Sequence, residues 1–451
     1  MSETPGHLMS EPGKVVAAWA DKRELFGWGM YDWAWSAFST TITTALLGPY
    51  LLDLAEETDG VTIGSFTIEP ASFFPFAVSL SALLQVLVLP LIGAIADHTP
   101  HKKRLMMSLA YLGSFLLMGL FLVTTSSILL GGVLFVFAGV AFASASVLYN
   151  SFLPQIAPPA LRDKVSSMGV AYGYLGGGLW LAINFVMIAL MDDTGLAVRL
   201  SLAGTGVWAL VFFALFPSRL IKPRPAMRAK PADKSWLAIG VGSTFATLKE
   251  MRSRYPQAFR YLIAYLLFTD GTGTVITVST LFARDELDAE PEMLLLLVLM
   301  IQFVAIPGAL FFGRLAGRLG AKMALIINLS LWAALVIYAF VALDTIPELW
   351  GMGVVLAIVL GGAQALSRSL FAQMIPARQE AEYFGFFEIA ARGTSWLGPA
   401  TFGIVNQITG SQRLAILSLI AFFALGLIGL IPVKVRQGMI DAGQEPTEIL
   451  G

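Results

Sequence analysis

Residues 72–96 read SFFPFAVSLSALLQVLVLPLIGAIA without one charged side chain, and DHTPHKKR follows at 97–104. About 20 apolar residues, each rising 1.5 Å, carry a helix across the hydrocarbon core of a bilayer. The stretch is therefore long enough to cross, and its end is marked by Asp97, Lys102, Lys103 and Arg104. Stretches of crossing length lie at 28–52, 72–96, 105–124, 128–150, 165–190, 199–217, 258–283, 293–313, 323–342, 349–374, 383–406 and 413–432. The chain reads as an all-α integral membrane protein with twelve transmembrane helices.

Composition agrees. Of 451 residues, 57% are hydrophobic and 13% charged, against about 25% charged in an average soluble domain. Such a chain lacks the charges to cover a soluble core of its size. The net charge of −1 gives nucleic-acid binding no electrostatic support. There is no cysteine, and the three histidines form no ligand set with nearby acids, so neither cofactor nor metal is expected. The first 25 residues carry no apolar signal-peptide core.

Lysine and arginine set the orientation. The tails and even-numbered loops hold 24 of the 29, from Lys14 through Lys102, Arg162, Arg314 and Arg378 to Arg436, while the opposite side holds Arg199, Arg284 and Arg413. Both tails are therefore expected in the cytoplasm of a multi-pass plasma-membrane protein (the inner membrane in a bacterium). The longest polar segment, 218–257, lies at the middle and is basic. Within it 236–254 reads as a surface helix, with Trp236, Leu237, Ile239, Val241, Phe245 and Leu248 ahead of Lys249, Arg252 and Arg254. It serves as a linker at anionic headgroups or as a regulatory element.

The chain is internally repeated. Gly93-Ala94-Ile95-Ala96-Asp97-His98 is echoed by Gly313-Arg314-Leu315-Ala316-Gly317-Arg318, about 220 residues later. Ser151-Phe152-Leu153-Pro154 is echoed by Ser369-Leu370-Phe371-Ala372, and Gly169 and Gly177 by Gly385 and Gly393, at nearly the same offset. Three matches in one order indicate duplicated halves. The expected organisation is a tail (1–25), a six-helix bundle (26–217), a basic linker (218–257), a pseudo-symmetric six-helix bundle (258–432) and a second tail (433–451).

Charges inside spans are costly, about 2.5–3.5 kcal/mol each at a helix centre, and so are functional candidates. They are Asp32, Asp270, Arg368, Glu388 and Arg392. Asp32 shares a helical face with Trp35, Ser36 and Ser39; Asp270 shares one with Thr274 and Thr277. Either aspartate binds a proton or a cationic substrate group, or both cap or pair with neighbouring helices. Arg368, on a face with Gln364 and Ser367, binds a substrate anion through its planar fork, or pairs with a gate carboxylate. Glu388 and Arg392, four apart, form an ion pair along one helix, or Glu388 alternates between Arg392 and Arg368. Pro75, Pro90, Pro307 and Pro399 are expected to kink their spans.

The segment Gly93-Ala94-Ile95-Ala96-Asp97 with Lys102-Lys103-Arg104 resembles the loop signature of the major facilitator superfamily. That resemblance implies the major facilitator fold, and a latch in which Asp97, Lys102, Lys103, Arg104, Arg318 and Lys322 hold the cytoplasmic face, the acid working against span eleven. Gly317 stands where the second copy would carry its acid. Further segments resemble the vacuole-effluxer-like permeases, a branch that includes a fungal autophagy-related amino-acid effluxer. They are Tyr31-Asp32-Trp33-Ala34, Tyr149-Asn150-Ser151-Phe152-Leu153-Pro154, Gly173-Tyr174-Leu175-Gly176-Gly177-Gly178, Thr269-Asp270-Gly271, Ser367-Arg368-Ser369-Leu370-Phe371 and Tyr383-Phe384-Gly385 with Leu397-Gly398-Pro399. Trp35 and Arg392 depart from that branch, which commonly has asparagine and lysine there. The resemblance implies export of a small solute, with amino acids the best-known substrates, by a monomer.

The resulting expectation is a secondary transporter, not an enzyme, working by alternating access, either coupled to protons or as a uniporter. Asp32, Trp35, Ser39, Tyr149, Asn150, Asp270, Gln364 and Arg368 would wall its substrate cavity. Asp32, Asp270, Glu388 and Arg392 are the proton-coupling candidates. A lipid flippase on the same fold and a non-transporting scaffold or sensor are the rival readings.

Overall fold

The computed structural model describes residues 21–68, 70–226, 246–287, 291–377, 379–392, 395 and 397–446. Its helices follow the twelve stretches in order. Span two is Pro70–Asp97, three Lys102–Met118 continued by a 3-10 turn at Gly119–Leu122, four Ile128–Ile156, five Pro159–Leu190 and six Thr194–Leu215. Span seven is Pro256–Leu287, eight Pro291–Leu319, nine Ala321–Val341 and ten Ile346–Gln373. Span twelve is Gln412–Ser418 with Ile420–Leu430. Among the described residues ten helices are long and apolar enough to cross a bilayer by themselves. Spans one and eleven supply the other two crossings from shorter pieces.

Span one runs as an α-helix over Lys22–Ala37, a π-helix over Phe38–Leu46 and a second α-helix over Leu47–Glu56. The middle piece is rich in serine and threonine. Thr40 donates to the carbonyl of Ser36 at 3.0 Å and Thr44 to that of Ser39 at 2.9 Å. Hydroxyls that take backbone carbonyls compete with the regular helical ladder, and π-helical turns concentrate at functional sites. Span eleven is Glu380–Arg392 followed by Leu397–Thr409. The helix runs through Pro75, Pro90 and Pro307, whereas Pro399 falls in the first turn of the outer piece of span eleven.

Several helices outrun their apolar stretches. Span one begins at Lys22, span five at Pro159, and span eight ends at Leu319. The added turns carry charges such as Arg162 and Arg318, which an apolar count leaves out although they extend a helix beyond the hydrocarbon. Among the described residues the all-α reading has one exception, an antiparallel hairpin of β1 (Val61–Ile63) and β2 (Phe66–Ile68) after span one. Its β-branched run broken by Gly64-Ser65 is the ordinary two-residue hairpin signal. Of the expected linker helix, Trp236 to Phe245 lie outside the described residues; 246–254 is helical, with Thr247 and Met251 buried.

The two halves meet along spans two and eleven, five and eight, and five and ten, while span one lies along span five. Small residues permit that last approach. A β-carbon on Gly169 would sit 2.8 Å from the Asp32 carboxylate and 3.1 Å from the Arg368 guanidinium. On the lipid side, Leu83, Leu87, Phe115 and Val186 are exposed, as bilayer contact requires. The face where residues 21 and 446 lie is the tail face below.

Candidate functional site

Four of the five in-span charges gather on the seam between the halves. Arg368, near the tail-face end of span ten, and Asp32, three turns into span one, form an ion pair of 3.0 Å across the seam. Both are nine-tenths or more buried. The Tyr149 hydroxyl donates to the same carboxylate oxygen at 2.7 Å. Each nitrogen of the guanidinium has a partner. Nε donates to Ser166 Oγ at 3.0 Å, Nη2 to the Ser166 carbonyl at 2.9 Å, and Nη1 reaches Asn150 Oδ1 at 3.4 Å. It also lies 4.8 Å from the Trp28 ring and 5.5 Å from that of Tyr149. Trp28 and Tyr31 stack on the two sides of Tyr149, at 4.5 and 4.2 Å. A charge this deep is stable only when paired and hydrogen-bonded, and here every arm of the fork is met.

Asn150 carries the network onward. Its amide donates to Glu388 Oε1 at 2.8 Å. Arg392 donates twice to Glu388 Oε2, at 3.0 and 3.2 Å, and to Gln85 Oε1 at 2.8 Å; Gln85 donates to Ser81 at 2.9 Å. One chain of polar contacts thus runs from Ser166 through Arg368, Asn150, Glu388 and Arg392 to span two, crossing the seam repeatedly. The two readings of Glu388 meet in this geometry: it pairs with Arg392, and Asn150 stands between it and Arg368.

Asp270 lies apart. One carboxylate oxygen accepts from the Gly398 amide at 2.8 Å, at the start of the outer piece of span eleven. The other has no hydrogen-bond partner among the described residues. Carboxylates are favoured at a helix N-terminus, where amides lack intrahelical partners. Asp270 therefore caps an interrupted helix. Thr274 turns back to the Asp270 carbonyl at 2.8 Å and Thr277 to that of Gly273 at 2.9 Å.

The remaining cavity candidates stand on the outer side of the Asp32–Arg368 pair. Trp35 and Ser39 are half-buried one and two turns further along span one, and Gln364 is exposed one turn before Arg368. The Arg392 side chain keeps 28% of its surface exposed. Polar groups inside a span are costly against lipid, which keeps these residues candidates for a solute path.

A family model described as "Vacuole effluxer Atg22 like" matches residues 20–443. The chain belongs to the vacuole effluxer Atg22-like family. Among its relatives are an uncharacterised MFS-type transporter, YxiO, of Bacillus subtilis, 29% identical over 94% of this chain and 97% of that protein. Autophagy-related protein 22-1 of Emericella nidulans is 24% identical over 96% of this chain and 95% of its own length. The fold matches solved major facilitator structures. The transporter FucP in the outward conformation superposes with a TM-score of 0.67 at 12% identity, covering 90% of this chain and 97% of that one. The human organic anion transporter MFSD10 gives 0.65 at 15% identity, over 93% and 100%. The protein is a major facilitator transporter of the Atg22-like family.

The family's loop signature is built on the tail face. Asp97, fully buried, accepts from the amides of Glu382 at 3.0 Å and Ala381 at 3.3 Å, in the first turn of span eleven. Lys102 is 3.9 Å from Asp97 and lies over the Phe152 ring at 5.2 Å. Lys103 is half-buried, and Arg104 and Arg318 are exposed. Lys322 donates to the Ile431 carbonyl at 2.7 Å, inside its own half. The first copy of the signature reaches across the seam; among the described residues no hydrogen bond or ion pair of Arg318 or Lys322 in the second does, and Gly317 stands where that copy would carry its acid.

Sequence reasoning overlooked several seam residues. Asp163 accepts from Ser369 and, at 3.3 Å, from Gln373; Gln155 donates to Glu380 at 3.3 Å; Ser166 donates to the Ala365 carbonyl at 2.8 Å. Arg162 reaches the Ala372 carbonyl at 2.9 Å. The signal for them was the duplicated end of spans four and ten, where Pro158 of one copy matches Pro376 of the other, which places both segments at matching ends of the two bundles. Among the described residues, side-chain hydrogen bonds across the seam run from the tail face to Gln85 and Arg392, near the middle of their spans. The tail face is closed.

Proposed function

We propose that this transporter moves a small zwitterionic solute of the amino-acid class across the membrane, by alternating access and coupled to protons. One observation carries the reading: the buried Asp32–Arg368 pair bridges the two halves at 3.0 Å. When the halves part on the tail face, the carboxylate and the guanidinium are left on opposite walls. A solute with both an amine and a carboxylate supplies each with an opposite charge, so the seam opens without an unpaired buried ion. The Arg368 fork suits a carboxylate, and the aromatic stack beside it gives the solute an apolar wall.

The cytoplasmic placement of the tail face is supported by the 24 of 29 basic residues on that side. Proton coupling falls to Glu388, whose carboxylate is shared between Asn150 of one half and Arg392 of the other. The test is purified protein in liposomes, offered amino acids, sugars, organic anions and peptides, with and without a pH gradient. Amino acids or close zwitterions should be transported, and Glu388→Gln should lose gradient-driven uptake while keeping counterflow. Failure of every solute in the panel to move would sink the reading, and unchanged gradient dependence in Glu388→Gln would remove that residue from coupling.

A further inference from the structure

The segment that leaves span twelve returns to the seam. Val435–Asp441 forms a short helix with Val435, Gly438 and Met439 buried, anchored where the Lys434 amide donates to Gln257 at 2.9 Å. Gly438 packs so closely that a β-carbon there would lie 2.9 Å from Met374 and 3.1 Å from Gln257. Beyond the helix Gly443, with a φ of 70°, reverses the chain. The amides of Gly443 and Gln444 fold back to the carbonyls of Ile440 and Met439, at 3.0 and 2.8 Å, which is the usual glycine-terminated helix end. That reversal delivers Gln444 into the tail-face closure.

Gln444 bonds to both halves at once. Its side-chain oxygen accepts from Nη1 of Arg162 in the N-terminal half. Its amide donates to the carbonyls of Ile375 at 2.7 Å and Ala372 at 3.3 Å, at the end of span ten. Arg162 is buried and also holds the end of span four, donating to the carbonyls of Ala157 at 3.2 Å and Pro154 at 3.4 Å. The last carbonyls of spans four and ten have no partner in their own helices. One arginine and one glutamine satisfy them together, and the glutamine comes from the tail.

We infer that residues 434–446 act as a strap on the transport cycle, with Gln444 as the residue that fastens the two halves closed on the tail face. The halves cannot part there unless Gln444 releases Arg162 or leaves the carbonyls of span ten. The docking of this segment therefore sets the balance between the closed and open forms. This rests on the reading that the tail face opens during transport.

The test uses the absence of cysteine in the chain. Spin labels on His101→Cys and Gly317→Cys, both exposed and on opposite halves, report the width of the tail face in lipid nanodiscs. The parent should show one dominant short distance. Gln444→Ala should raise the ratio of long to short populations about tenfold, the weight of one charge-assisted hydrogen bond. Arg162→Ala should raise it at least as much. Gln437→Ala, on the exposed side of the same short helix, should leave it unchanged. If Arg162→Ala opens the face and Gln444→Ala does not, the strap is refuted. If Gln437→Ala acts like Gln444→Ala, the effect belongs to folding of the tail and the strap is again refuted. If Arg162→Ala leaves the short distance in place, the opening of this face fails, and the strap with it.

Discussion

Neutralising one partner of the Asp32–Arg368 pair leaves the other charge nine-tenths buried. Removing one member of such a pair costs about 3–5 kcal/mol. The orphan keeps some company here. Tyr149 still donates to Asp32 at 2.7 Å, and Ser166 still accepts from Arg368 at 3.0 and 2.9 Å. The lower end, about 3 kcal/mol for each of Asp32→Asn and Arg368→Gln, is the expected loss. The double variant leaves no unpaired ion, so it should cost about 3 kcal/mol rather than about 6, an interaction energy near 3 kcal/mol. The assay is equilibrium unfolding of the four proteins in mixed micelles, followed by circular dichroism. Losses that add to within about 0.5 kcal/mol would show two independent sites and refute the pairing as the organising contact of the seam. Liposome flux on the same four proteins separates roles: each single change should lower zwitterion transport about a hundredfold, the factor that roughly 3 kcal/mol represents.

Two further outcomes follow from close contacts elsewhere on the seam. A β-carbon on Gly93 would lie 2.4 Å from the Ala381 carbonyl, a backbone that cannot swing away; Gly93→Val should therefore hold the tail face apart, seen as a long His101–Gly317 label distance and lost net flux with the protein still folded. For Asp270, Ala should cost about 1–2 kcal/mol by uncapping the outer piece of span eleven, whereas Asn, which keeps an acceptor for the Gly398 amide, should cost less than half of that; equal losses in micelle unfolding would mean that the cap is not what the carboxylate contributes.

Most spans were legible because they are long apolar runs, and the few charges inside the others stood out against that background. The glycines of span five, Gly169, Gly173 and Gly177, lie along span one. What they accommodate, the carboxylate of Asp32 and the fork of Arg368, is contributed by residues 336 apart in sequence, and no local pattern joins them. Asp32, Arg368, Glu388 and Arg392 were identified by charge alone; their order along the seam depends on Asn150, a neutral residue equally at home as interhelical glue. The interruption of span eleven sits inside a stretch that reads as one crossing, with Gly393 and Pro399 at its flanks the sole hints. Gly393 itself lies outside the described residues. The tail strap was hidden differently: Gly443 is an ordinary helix stop, and nothing local says that the chain beyond it turns back to the membrane.

The arrangement of the charges bears on how the seam can open. Glu388 and Arg392 belong to one helix and travel together, so parting the halves breaks their neutral partners, Asn150 and Gln85, but leaves the ion pair whole. Asp32 and Arg368 belong to different halves, so the same movement separates opposite charges. Asp270 and Gly398 both lie in the C-terminal half and keep their contact throughout. Of these three sites, the Asp32–Arg368 pair is thus the one at which tail-face opening has a large electrostatic cost. It is also where a bound ligand can most change the balance between the two forms, because a ligand shifts such a balance only through contacts that differ between them. A solute of the wrong charge would satisfy one wall and leave the other unpaired. Under the proposed function, selection for a zwitterion and control of the opening would be the same interaction.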